Sequence, residues 1–301
     1  MKKKTLLFGL LLIAALVFAA CAPETIVETV VVEKEVEVEK EVEVIKEVEV
    51  EKEVIKEVEV EVAGGARGSS GTVTILYWQA ASTLNPYLSG GTKDIHAASL
   101  ILEPLARYDE AGNMVAWLAK EIPTVENGGI AEDLTSITWS LKDDVLWSDG
   151  TPFTSADVVF SGDYCLDPDM GCNALSAFAD VESIEAVDDY SVKISFARPK
   201  PFPYGPFVGG TAPILQAAQF ADCMGVKAQE CTEQNFGPIG TGPFVAQEFL
   251  ANDTVLYVAN ENYRDPNKPF FAEVVFKGGG DAASAARAVL ETGAADYAWN
   301  L

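Results

Sequence analysis

Histidine is almost missing from this chain: His96 is the only one among 301 residues. That leaves no second imidazole for a histidine-rich metal centre. With no recognisable nucleophile motif beside it, it also argues against a Ser-His-Asp or Cys-His catalytic set. Positive charge is scarce as well. Lys and Arg number 21 against 46 Asp and Glu, a formal net charge of −25. No basic patch stands out that could neutralise phosphates, which excludes nucleic acid as a partner. Cysteine is sparse, with five residues in all. Two pairs, Cys165 with Cys172 and Cys223 with Cys231, are spaced to close small loops. In an exported chain local disulfides are the expected reading of such pairs. Zinc is the alternative, but the spacings are not C-x-x-C and His96 lies far away in sequence, so no metal is expected.

What is present is organised in blocks. Lys2, Lys3 and Lys4 precede an apolar core, Leu6 to Leu16, and small residues follow. This is a secretion signal over residues 1–20. Residues 21–71 read as one block ahead of the globular part, most of it a low-complexity spacer. Between Glu24 and Val62 there are 15 Glu and 5 Lys, so this stretch alone carries −10. Even positions from Val30 to Val62 are Val or Lys, and odd positions from Glu33 to Glu61 are Glu except Ile45 and Ile55. Period two suits an extended strand with one acidic face, and a long Glu/Lys helix is its rival. Ala63 to Gly71, AGGARGSSG, reads as a flexible joint. A globular part follows from Thr72, and the chain is 49% hydrophobic, enough for one large or two modest cores.

The central stretch of that part is Val145 to Cys165, VLWSDGTPFTSADVVFSGDYC. Val145 to Trp147 reads as a strand and Ser148-Asp149-Gly150 as a turn. Thr154 reads as a helix N-cap with Asp157 three residues on. Turn and cap account for both acids without chemistry. Elsewhere the pattern predicts a strand over Val73 to Trp78, a helix over Ile95 to Leu105 and a strand over Thr135 to Leu141. It predicts a hairpin over Val181 to Phe196, a second hairpin after Gly240-Thr241-Gly242, and a strand over Phe271 to Phe276. Last come a helix over Ala282 to Leu290 and a strand over Asp296 to Trp299. Strand, helix, strand at the end favours a parallel sheet. No phosphate-loop Lys follows the glycines at 240 and 242, so they read as a turn and no cofactor is implied.

Trp147, Ser148, Asp149, Gly150, Pro152, Phe153, Thr154, Asp157, Val158, Phe160 and Ser161 resemble the signature WSDGxPFTAxDVxFS of the family 5 extracellular solute-binding proteins of ABC importers, the peptide and nickel binders. Ser155 stands where the family has Ala. Leu84-Asn85-Pro86, Leu118-Ala119, the GTGPF run at Gly240 and Leu290-x-x-Gly293-x-x-Asp296 resemble further blocks of that family. Ala116 departs from it, replacing a proline. Phe18-Ala19-Ala20-Cys21 resembles a bacterial lipobox, with Phe18 in place of Leu, which implies Cys21 as a lipidated N-terminus.

The resemblance implies an α/β two-lobe periplasmic-binding-protein fold of type II. Residues 72–270 would be the first lobe with its small subdomain. Residues 271–301 would begin a second lobe that the chain does not complete. It implies capture of a solute, short peptides first, for delivery to the permease subunits of an ABC transporter. Oligosaccharide, nickel and haem are alternatives within the family. An exported hydrolase and a structural surface lipoprotein are alternatives outside it, and no enzyme activity is expected. The loop Ser82, Thr83, Leu84 and Asn85 follows the carboxyl end of the first strand, where open α/β sheets hold ligands, and is the expected first-lobe contact. The expected location is the outer face of the cell membrane. Palmitate labelling checks the anchor: the wild type incorporates label and Cys21→Ser does not.

Overall fold

A computed structural model describes residues 66–299. The expected signal segment, Cys21 and the expected spacer up to residue 65 lie outside the described residues. The first strand, β1 (Ser70–Tyr77), is joined by parallel pairing on both sides: to β9 (Phe271–Gly278) and to β10 (Tyr297–Ala298). β9 continues antiparallel into β8 (Thr254–Ala259) and β7 (Phe244–Leu250), so one sheet runs β10-β1-β9-β8-β7. The crossover from β9 to β10 carries a short helix, Ala282–Arg287, whose N-cap Asp281 accepts from the Ser284 amide. This is the parallel unit that the C-terminal pattern predicts. The strands expected to begin a second lobe at residue 271 therefore lie beside β1 in this sheet.

A second sheet is antiparallel, β4 (Ser136–Ser140), β6 (Ser191–Phe196) and β5 (Val181–Asp188). A two-stranded ladder joins β2 (Ala106–Tyr108) to β3 (Met114–Ala116). A 12-residue helix, Ser155–Leu166, packs on the second sheet. Disulfides join Cys165 to Cys172 and Cys223 to Cys231. Trp139, Trp147, Tyr87, Tyr164, Tyr257 and Phe153 are among the largest fully buried side chains. Each such burial contributes roughly 1.5–3 kcal/mol.

Two sequence expectations change. The helix expected over Ile95 to Leu105 is Thr92–Ala98, with Ser99 as its C-cap. Beyond it the carbonyls of Leu100 and Ile101 accept from the amides of Phe244 (3.1 Å) and Gly242 (2.8 Å) instead of from their own helix. Ile101, Leu102 and Leu105 are buried on all sides, so their apolar spacing reflects the core and not a helical stripe. The approach also explains the glycines of GTGPF. A Cβ at Gly240 or Gly242 would collide with the Ile101 carbonyl. Val145 to Trp147, expected as a strand, makes one bridge, Leu146 to Pro152. The rest is a tight turn: the Gly150 amide donates to the Trp147 carbonyl (2.9 Å), and Gly150 has φ +86°.

Asp157 ties this turn to its surroundings. A capping box spans Thr154 and Asp157. Oδ2 of Asp157 accepts from the Thr154 amide (3.0 Å) and the Trp147 indole (3.2 Å), and Oδ1 from the Ala217 amide (3.0 Å). Burial raises the Asp157 carboxyl above its ordinary range, although these donors pull the other way. Both residues are thus structural. Thr154→Ala should cost about 0.5–2 kcal/mol. Asp157→Ala should cost more, because it strands buried donors in three segments at once. Denaturant melts of the two variants check the order.

Candidate functional site

Three parallel strands end at one edge of the larger sheet, the edge where open α/β sheets hold ligands. Tyr77 closes β1 and is buried; Trp78 follows it and is 39% exposed. Tyr77 stacks on Phe276 of β9 at 4.6 Å and on Trp299, just beyond β10, at 5.5 Å. Trp78 meets Trp299 edge to face at 4.8 Å. His96, on the first helix (Thr92–Ala98), closes the group. Its Nδ1 shares a hydrogen bond with the Tyr77 hydroxyl, and its ring stands edge-on to Tyr77 at 5.8 Å.

The corner is uncharged at neutral pH. Burial pushes the Tyr77 hydroxyl up to about 12, helped by Tyr297, and burial lowers the His96 imidazole from its ordinary value. A neutral, largely aromatic surface with a few hydrogen-bonding edges suits the rings and apolar groups of an organic solute. Among the described residues no group of three or more His, Cys, Asp and Glu could hold a metal ion.

The expected contact loop is divided by its own packing. Leu84 and Asn85 are fully buried. Asn85 Nδ2 donates to the Tyr164 hydroxyl (3.1 Å) and to Asn235 Oδ1 (2.9 Å), and Asn85 Oδ1 accepts from the Tyr87 amide (3.1 Å). Side chains committed to the interior in this way present no surface to a solute, which corrects the expectation for these two. Ser82 and Thr83 are half-buried. Thr83 Oγ1 donates to the Asn235 carbonyl (3.3 Å), while Ser82 faces Asp94.

Asp94 is the residue that the sequence reading missed. It is buried, and its carboxylate accepts from the Ser82 amide (2.6 Å), the Ser82 and Ser89 hydroxyls and the Lys93 ammonium (2.9 Å). The loop after β1 and the turn Ser89-Gly90-Gly91 are thereby held against the start of the first helix. The available signal was an acid in the first turn of a helix, beside a Ser-rich loop. Burial raises its pKa, but the bonds from Ser89, Ser82 and Lys93 together outweigh burial and hold it below the ordinary value. A carboxyl lowered by folding stabilises the fold above its unfolded pKa, about 4, and that contribution is lost as pH falls through the folded value. Wild type should therefore lose stability on acidification below about pH 4 more steeply than Asp94→Asn. Asp94→Asn should be the less stable at pH 7, with the gap narrowing in acid. Thermal melts across pH measure both.

The sequence profile of the bacterial extracellular solute-binding proteins, family 5, middle region, matches residues 113–301. The nickel-binding periplasmic protein of Escherichia coli is 29% identical over 193 residues, covering 64% of this chain and 34% of that protein. The periplasmic murein peptide-binding protein MppA of Escherichia coli is 26% identical over 217 residues, covering 65% of this chain and 37% of its own. The chain thus spans little more than a third of the length of these relatives. The oligopeptide-binding protein AppA of Bacillus subtilis, solved with a nonapeptide, superposes with a TM-score of 0.65 over 76% of this chain and 44% of that one, at 23% identity, a likeness of fold. The turn and capped helix around Asp157, the GTGPF run against Ile101 and the β9-to-β10 unit all fall inside the profile match, which covers more than half of the chain, and the protein belongs to the family 5 bacterial extracellular solute-binding proteins.

Proposed function

We propose that the whole protein is a lipid-anchored receptor on the outer face of the cell membrane. It captures a short peptide between two lobes and passes it, unchanged, to the permease subunits of an ABC transporter. The observation that carries this reading is the neutral aromatic corner of Tyr77, Trp78 and Trp299 at the carboxyl ends of β1 and β10, in a chain of a solute-binding family. Aromatic faces take apolar and ring-bearing groups without demanding one sequence, as a receptor for varied peptides must. The half-buried Ser82–Thr83 segment, which follows Trp78 in the same loop, is the other solute contact in this reading. Within the described residues peptide is favoured over nickel, because His96 is engaged with Tyr77.

We place the lobe boundary beyond β10, since β9 and β10 flank β1 in a single sheet. Cys21 supplies the anchor, and the Glu/Val/Lys spacer lifts the lobes from the membrane. Anchoring of this kind needs more than one acyl chain to be firm.

Titration calorimetry tests the reading. A protein extended to the relatives' full length is titrated with a peptide library and with a sugar panel, and chain 1–301 is run in parallel. The longer protein binds peptides without consuming them, and the 301-residue chain binds them weakly. Trp78→Ala weakens the longer protein's binding by about two- to tenfold, the worth of one aromatic contact. Binding of a sugar alone would change the substrate, and consumption of any ligand would replace the receptor by an enzyme.

A further inference from the structure

A groove of about 330 Å³ opens beyond the end of the first helix, lined by the apolar Leu100, Pro104 and Pro243 together with Arg107 and Trp117. It shares no residue with the aromatic corner. At its base lies Glu103, 3% exposed, and this carboxylate is fully used. Oε1 accepts from the Trp117 indole (2.6 Å) and Arg264 Nη2 (3.0 Å). Oε2 accepts from Thr241 Oγ1 (2.9 Å) and Arg264 Nη1 (2.6 Å). The fork-to-fork pair cancels the Glu103 charge with that of Arg264.

Arg107 is left as the uncancelled cation of the groove. Its guanidinium carbon lies 3.1 Å from the centre of the Trp117 ring, so the group is held over the ring by a cation–π contact. Trp117 is itself oriented by its bond to Glu103. Among the described residues the Arg107 side chain makes no hydrogen bond and no ion pair, and the residue is exposed. A pre-oriented fork of donors beside an apolar wall is complementary to a planar anion that carries a hydrocarbon group.

We propose that this groove is a second binding site, for a small organic carboxylate: Arg107 takes the carboxylate through two parallel N–H donors, and Leu100, Pro104 and Pro243 take the apolar substituent. The free carboxyl end of a peptide with an apolar last residue and a simple aryl-alkanoate share this chemistry. The site goes beyond the receptor reading, because it lies on one lobe and needs no closure.

Chain 1–301 is titrated by calorimetry with 3-phenylpropanoate, with its uncharged amide, and with the free-acid and amidated forms of one dipeptide ending in Leu. Both carboxylates bind in the millimolar range or tighter, and each amide binds at least about tenfold more weakly, as loss of a charge-assisted contact requires. Arg107→Gln loses the preference for the carboxylates. Arg107→Lys keeps the charge without the planar fork and falls between. Arg107 is exposed, so melting temperatures should stay level across these variants. If the phenylpropanoate binds and the dipeptide does not, the ligand is a small acid and not a peptide end. Amides that bind as well as acids, full binding by Arg107→Gln, or no binding by the wild type would each overturn the assignment.

Discussion

The parallel pairing of β1 is the constraint on which the candidate site depends. Its register sets Leu76 opposite Lys277 on one side and opposite Ala298 on the other, residues about two hundred positions away in the chain. Tyr77, Trp78 and Trp299 meet because these strands end together. Asp296 reinforces the junction, its Oδ2 accepting from the Thr74 amide at 2.8 Å while its own amide donates to the Thr74 carbonyl. A slip of one residue would turn every side chain of β1 to the opposite face and dissolve the aromatic stack. Closing a loop of this length costs entropy that local contacts cannot repay, so the sheet forms only together with the core on its faces.

Three buried carboxylates do the joining elsewhere, and they do it by the same physics. Asp94 gathers the loop after β1, Asp157 gathers the turn, the helix cap and the 217 amide, and Glu103 gathers Trp117, Thr241 and Arg264. An ionised group in the interior is tolerated only when donors replace its water. Each of these acids therefore draws in segments distant in sequence. Breaking such a set by removing one partner is costly, typically about 3–5 kcal/mol for a buried ion pair, because the other charge is left without compensation. The strongly acidic composition thus has two parts. A repetitive share sits in residues 24–62, and a few acids inside the fold act as fasteners.

Elements with local causes were legible in the sequence. The hairpin Val181–Phe196 follows from alternation broken at Asp188-Asp189, and the N-cap at Asp281 follows from an acid before an Ala-rich run. The run of matches from Trp147 to Ser161 pointed to the family. The helix expected over Ile95 to Leu105 stops at Ala98 because Leu100 and Ile101 give their carbonyls to Gly242 and Phe244, a partnership that no local window contains. Leu84 and Asn85 were expected as contact residues, but burial turns both inward, with Asn85 bonded to Tyr164 and Asn235.

By itself the sequence determined the family and the strand-helix-strand order of the last thirty residues. These rest on short-range patterns: cap chemistry, turn residues and a contiguous motif. Only the tertiary structure decided which side chains share an edge. Tyr77, His96 and Trp299 form one corner, and Arg107 lies on Trp117 with Glu103 beneath, because strand register and buried hydrogen bonding act between residues that the chain keeps far apart.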